Sequence, residues 1–263
     1  MLISSAQNSK VKLLRGLLGA RKNREESGLF VIEGVRLAEE AIKSGAQTEF
    51  TLFSNQLSTR GRELLPVLEE RKIEIDEIDA GLMNRVSDTK NNQGILMVMR
   101  SVQPTLKQTL DLVLVLDQIR DPGNLGTLLR SAAALGVQAV LLTIGSTDAF
   151  APKVLRAGMG AHFKMEILTM GPKEIQAFCK QSNQKELEIL LADSSEGGVC
   201  WDEDLTKPLC LVIGSEAEGA KADLRQIIDA SVRIPMSGHT ESYNAAVAGS
   251  ILLYETYRQR KTL

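Results

Sequence analysis

Three cysteines, two histidines, one tryptophan and an aromatic share of 4% are all that this chain of 263 residues carries of those types. Cys179, Cys200 and Cys210 are odd in number and show no CxxC spacing, which argues against a disulfide frame and a cysteine zinc site. They read as reduced thiols of a cytoplasmic protein, and no metal is expected. No apolar run approaches the roughly 20 residues of a membrane-spanning helix. The first residues carry no apolar signal core, so no membrane partner is expected. The phosphate-cradling pattern GxxxxGK(S/T) is missing, and the glycines of DPGNLG lack the GxGxxG spacing, so P-loop and dinucleotide readings are weak. Net charge is −2, so nothing global announces a nucleic-acid partner. Internal repeats and low-complexity segments are absent.

What remains is a globular profile, 43% hydrophobic and 24% charged, long enough for one large domain or two smaller ones. The charge is unevenly spread. Residues 1–108 hold 16 basic and 14 acidic side chains, and residues 109–263 hold 15 and 19. Within the first 24 residues Lys10, Lys12, Arg15, Arg21, Lys22 and Arg24 stand without an acidic neighbour. Such a cluster attracts phosphate even on a mildly acidic protein, although most charge runs are solvated helix faces.

Val11, Leu14, Leu17 and Leu18 recur at helical spacing behind a capping Asn8 or Ser9. Strands are expected at 29–32, 50–53, 73–77 and 94–99, with helices at 35–43 and 60–71. That alternation describes a small α/β sandwich over residues 1–100. The polar stretch 101–109, with Pro104, reads as a linker. From residue 110 the pattern changes to continuous apolar strands at 112–116, 137–142, 164–168, 188–192, 209–213 and 231–234. They alternate with helices at 125–135, 152–158, 172–181, 222–229 and from 242 to about 258. Apolar strands alternating with helices imply a parallel sheet covered on both faces.

Ligands of such sheets bind outside the carboxyl ends of the strands. Three loops leave strand ends there. The first, DQIRDPGNLGTLLR at 117–130, carries Asn124, Gly126 and Arg130. The second, IGSEAEG at 213–219, brackets Glu216 and Glu218 with Gly214 and Gly219. The third, IPMSGHTESYNAAVAGS at 234–250, enters a helix for which Ser242 is the expected N-cap. Its free backbone groups, one hydroxyl and one amide suit a neutral hydrogen-bonding ligand such as adenine. Each loop alone is explained as an ordinary strand-to-helix connection, and His239 as a surface histidine.

Together, DPGNLGTLLRSAAALG, LVIGSEAEGA and RIPMSGHTESYNAAVAGSILLYE resemble the three ordered motifs of the SpoU (TrmH-type) RNA ribose 2′-O-methyltransferases. APKVLRAGMGAHFKM at 151–165 is similar to the segment this family carries between its first two motifs. ISSAQNSKVKLLRGLL and LFVIEGVRLAEEAIKSG resemble the L30e/L7Ae-like RNA-binding domain found ahead of many such enzymes. The resemblance implies an L30e-like domain over 1–100 and a SPOUT methyltransferase domain over 110–263, with a parallel sheet and a deep trefoil knot. It implies S-adenosylmethionine as cofactor, a homodimer, and RNA as substrate, with 23S-type ribosomal RNA favoured over tRNA.

Carried over residue by residue, the resemblance puts cofactor contacts on Gly214, Ile234, Met236 and Tyr243, with Thr143 at the end of the second strand. It puts the polar catalytic set on Asn124, Arg130, Glu216, Ser242 and Asn244. The family's Ser-Leu-Asn is Ser242-Tyr243-Asn244 in this chain, where Tyr243 either covers the adenine edge or alters the pocket size. The resemblance puts the family's proposed base on Arg130. A guanidinium resists deprotonation, so the alternative is that a charged Arg130 holds phosphate and steadies the developing alkoxide. A non-catalytic RNA-binding or ribosome-assembly protein and a base methyltransferase are the competing readings.

Overall fold

The computed structural model describes residues 2–89, 91–101, 110–181, 186–215, 219–238 and 241–261. The first half runs β1 (Leu2–Ile3), α1 (Ser9–Gly19), α2 (Arg21–Ser27), β2 (Leu29–Glu33), α3 (Val35–Ser44) and β3 (Thr48–Phe53). It continues through α4 (Thr59–Arg62), α5 (Leu64–Glu70), β4 (Glu74–Ile78), α6 (Ala80–Val86) and β5 (Ile95–Arg100). The strands form one sheet in the order β1-β4-β3-β5-β2. Alternate side chains leave opposite faces of a strand. Phe30 and Ile32 therefore join Leu37, Met97 and Met99 on one face, while Val31 joins Val11, Leu14, Leu17, Leu52 and Val98 on the other. Full burial of each such aliphatic side chain contributes about 1.5–3 kcal/mol.

The second half runs β6 (Leu112–Leu116), α7 (Pro122–Ala134), β7 (Ala139–Leu142), α8 (Pro152–Gly158), β8 (Glu166–Thr169), α9 (Pro172–Gln181) and β9 (Glu188–Ala192). It ends with β10 (Gly198–Val199), β11 (Leu209–Ile213), α10 (Ala222–Arg225), β12 (Ala230–Arg233) and α11 (Ala245–Lys261). Seven parallel strands make a sheet in the order β10-β12-β9-β11-β6-β7-β8. Val113, Val115, Cys210 and Val212 pack with Ile175 and Cys179 of α9 on one face. On the other face α11 lies against α7, β9 and β11. Gly249 permits that approach, because a Cβ there would sit 2.4 Å from Leu128 Cδ2.

Contacts divide the chain into two units, Met1–Gln103 with Phe150–Phe163, and Pro104–Ala149 with Lys164–Leu263. The return of 150–163 to the first unit has a clear cause. Leu155 is buried in the cluster of Phe30, Ile32 and Met97. The Phe150 ring lies 4.8 Å from that of Phe30, and Arg156 pairs with Asp88 at 2.7 Å.

Several expected boundaries shift. The helix expected at 60–71 is two, α4 and α5, with Glu63 between them. α7 begins at Pro122, three residues before its expected start, because Asp121 caps it with proline in the first turn. The helix expected at 222–229 ends at Arg225. α11 begins at Ala245, and its cap is Asn244 and not Ser242, since Asn244 Oδ1 accepts from the amides of Ala246 and Val247. The polar stretch 101–109 lies outside the described residues except for Ser101.

Candidate active site

At the end of β6 the chain leaves the sheet through Asp117, which is 1% exposed. Burying a carboxylate is tolerable only when it is hydrogen-bonded. Asp117 accepts from the Thr143 hydroxyl at 2.6 Å and the Lys221 amide at 2.8 Å. Thr143 in turn accepts from the Gln118 amide at 3.0 Å. The residue therefore fastens the end of β7 and the exit of the second motif to β6.

The second motif is a narrow loop. Ser215 and Gly219 exchange backbone hydrogen bonds of 3.0 and 3.1 Å. A Cβ on Gly214 would lie 2.4 Å from both the Ala220 nitrogen and the Gly219 carbonyl carbon, so only glycine allows the loop to fold back on its own stem. Glu216, assigned to the polar set, lies outside the described residues, as does His239.

The third motif crosses from β12 to α11. Between it and the second motif is a cavity of about 470 Å³, within the range of small-molecule sites. Gly214, Ile234, Met236, Ser242 and Tyr243 all line it. Asn244, next in the chain, caps α11 and donates from Nδ2 to Asn124 Oδ1 at 3.2 Å. The first motif is thereby tied to the third. Thr143 is not among the lining residues, and its hydroxyl is engaged with Asp117. Arg130 is also outside the lining; it is exposed on α7 and makes no hydrogen bond or ion pair among the described residues.

The cavity has a wall that the motifs did not point to. Asp193, directly after β9, accepts from the amides of Ser195 and Glu196 and from Arg225 Nη2 at 3.0, 3.2 and 2.9 Å. Burial pushes the Asp193 carboxyl up. The Ser195 amide, the Arg225 guanidinium and the Glu196 amide outweigh that and bring it down to about 2. The one legible signal was the strand end itself, since β9 stops one residue before an Asp-Ser-Ser turn.

The six basic residues of the first unit divide differently from expectation. Arg24 is 8% exposed and donates to the Leu17 carbonyl, so it closes the end of α1 and does not face solvent. Lys10 sits between Asp76 at 2.5 Å and Glu74 at 2.7 Å. Burial alone would lower its pKa, and the two carboxylates raise it above the usual lysine value. Arg21 and Lys22 pair with Glu25 and Glu26 one helical turn on. Lys12 and Arg15 are exposed and have no ion pair among the described residues.

Comparisons with known proteins agree with this arrangement. Residues 111–254 match the model of the SpoU rRNA Methylase family, and residues 8–97 that of the MRM3-like substrate binding domain. The 23S rRNA (guanosine(2553)-2′-O)-methyltransferase RlmP of Bacillus subtilis is 31% identical over 96% of this chain and 97% of its own. The 23S rRNA (uridine(2479)-2′-O)-methyltransferase of Streptomyces viridochromogenes is 30% identical over 97% and 92%. The crystal structure of the SpoU methyltransferase AviRb from Streptomyces viridochromogenes, in complex with the cofactor AdoMet, superposes with a TM-score of 0.84. It is 27% identical and covers 97% of this chain and 100% of that one. By sequence match, sheet topology and motif order, this chain belongs to the SpoU rRNA methylase family.

Proposed function

We propose that this protein transfers a methyl group from S-adenosylmethionine to a ribose 2′-hydroxyl of 23S-type ribosomal RNA. The observation that carries the reading is the convergence of Gly214, Ile234, Met236, Ser242 and Tyr243, drawn from two separated motifs, on one cavity. The Asn124–Asn244 hydrogen bond ties the first motif to the third. The relatives named above act on 23S rRNA and align along nearly their whole lengths.

The residues present fit the cofactor. A cavity of about 470 Å³ is the size of a nucleoside site, and the tight turn at Gly214 leaves backbone amides and carbonyls as its recognition groups. Ile234 and Met236 offer apolar contact, and Tyr243 a ring for the adenine face. When bound, the cofactor supplies a methyl carbon already activated by a sulfonium. What the chain must do is hold the ribose in line and ease the loss of the hydroxyl proton. Asn124 and Asn244 orient the sugar. Arg130, kept charged, steadies the alkoxide and the adjoining phosphate. Ser242 shapes the third-motif turn.

A homodimer, a cytoplasmic setting and the C-terminal knot belong to the same proposal. The dimer is supported by Val247, Tyr254 and Tyr257, which α11 leaves 46%, 60% and 39% exposed. The knot is supported by the path of the chain, which passes from β12 near one sheet edge back to α11 against central β11. The first unit, with Lys12 and Arg15 exposed, would carry the RNA contacts. Mapping 2′-O-methyl sites in total RNA from cells with and without the gene tests the proposal. One 23S ribose should lose its methyl. A lost base methyl, or no change with the protein abundant, would overturn it.

A further inference from the structure

The second wall of the cavity carries charge from outside the three motifs. Asp193 and Glu196 line it with Arg225, the single cation among the described lining residues, and Glu241 of the third motif adds a further carboxylate to the cavity. Arg225 does two things at once. Its Nε donates to the Ala220 carbonyl at 3.1 Å, at the exit of the second motif, and its Nη2 donates to Asp193 at 2.9 Å. Two loops that follow different strands, β9 and β11, are thereby pinned to each other. Asp193 is the more buried partner, with its side chain 9% exposed against 42% for Arg225.

The charges of the two ligands of a methyl-transfer site differ by one. S-adenosylmethionine carries a sulfonium, an ammonium and a carboxylate, for a net of +1. S-adenosylhomocysteine has lost the sulfonium charge and is neutral. A guanidinium left unpaired in this wall would oppose the donor and leave the product unaffected. Asp193 cancels that charge, and Glu196 and Glu241 then leave the lining net negative.

Resting on the cofactor reading of this cavity, we infer that Asp193 and Arg225 form a charge-matching pair that favours a cationic methyl donor over its neutral product. Asp193 and Arg225 are positioning residues in this scheme, acting on the field and the loops and not on the reacting atoms. The pair also explains why a loop outside the three motifs lines the cavity so closely.

Calorimetric affinities of the full-length protein for S-adenosylmethionine and S-adenosylhomocysteine test the inference, with folding checked by circular dichroism. Asp193→Asn keeps the shape and removes the charge. It should weaken the donor on the order of tenfold and the product much less, and adding Arg225→Gln should restore the donor. Glu196→Gln, at an exposed side chain, should shift the same ratio less, and 0.5 M salt should erase that shift. Equal weakening of both ligands by Asp193→Asn would mean that the pair only holds the loops, and would overturn the inference. So would an unchanged donor-to-product ratio in both Asp193→Asn and Glu196→Gln. If the unmodified protein binds neither ligand, the cofactor reading fails first and takes this inference with it.

Discussion

Asn244 Nδ2 donates to Asn124 Oδ1 at 3.2 Å across 120 residues of sequence, while Asn244 Oδ1 accepts from the Ala246 and Val247 amides. One side chain therefore caps α11 with its oxygen and reaches the first motif with its nitrogen. The two jobs can be separated. Asn244→Asp keeps the acceptor and loses the donor, so stability should hold while methyl transfer falls by at least tenfold. Asn244→Ala loses both and should also cost about 1 kcal/mol of stability. Thermal unfolding and a methyl-transfer assay on the two variants make the comparison. Equal activity in Asn244→Asp and the unmodified protein would sink the role given to the bridge.

Arg130 is exposed and unpaired among the described residues, so its removal should not disturb the fold. Arg130→Ala is expected to unfold within about 0.5 kcal/mol of the unmodified protein. It should bind cofactor with unchanged affinity and lose methylation by a factor of about 100 or more. Arg130→Lys keeps the charge but not the fork that grips phosphate, and should remain poor. Retained activity in Arg130→Ala, with cofactor affinity intact, would remove Arg130 from the mechanism.

What the sequence alone disclosed follows from what a local pattern can encode. The strands at 112–116 and 209–213 were read with their observed limits, because a strand covered on both faces is an unbroken apolar run. The cap of α11 is ambiguous in the sequence because Ser242 and Asn244 are both good caps, and only the bonds from the Ala246 and Val247 amides to Asn244 Oδ1 separate them. Arg24 counted as a free charge, because a count does not see the Leu17 carbonyl that takes it. Asp193 and Arg225 are 32 residues apart, with no periodicity to link them. Leu155 sits on an apolar stripe, and a stripe does not say which sheet it covers.

Leu155 is 1% exposed and packs with Phe30, Ile32 and Met97 in the first unit. Leu155→Ala should destabilise the protein by about 2–5 kcal/mol. Hydrogen exchange should speed in β2 and β5 more than in β6 and β11. Uniform acceleration across both units would contradict the assignment of 150–163 to the first.

Asp193 makes an acid-stability test. Its carboxyl is held at about 2, below the ordinary 3.8. A depressed carboxyl pKa stabilises the fold fully above the unfolded value, and that contribution is lost as pH falls through the folded one. Urea unfolding of the unmodified protein and Asp193→Asn should therefore differ by a constant amount above about pH 5 and converge between about pH 4 and 2. A difference that grows on acidification would show that the carboxylate is not stabilised in the native state.

Gly214 tests whether the second motif works through its backbone. The nearest atoms to an added Cβ are main-chain, the Ala220 nitrogen and the Gly219 carbonyl carbon at 2.4 Å, so no rotamer change can make room. Gly214→Ala must push the 214–220 loop off its stem, breaking the paired hydrogen bonds of Ser215 and Gly219 and straining the Asp117 bond to the Lys221 amide. Those bonds lie at the end of the sheet, beside Ala220 at the margin of the α9-facing core, and the expected stability loss is about 1–3 kcal/mol. Cofactor affinity, measured by calorimetry, should fall by more than that loss explains, because the lining of the cavity itself moves. Gly249→Ala presses on the Leu128 side chain instead and should cost similar stability with much smaller effect on cofactor affinity. If the two variants lost affinity equally, general destabilisation would account for both, and the loop backbone would have no special part in binding.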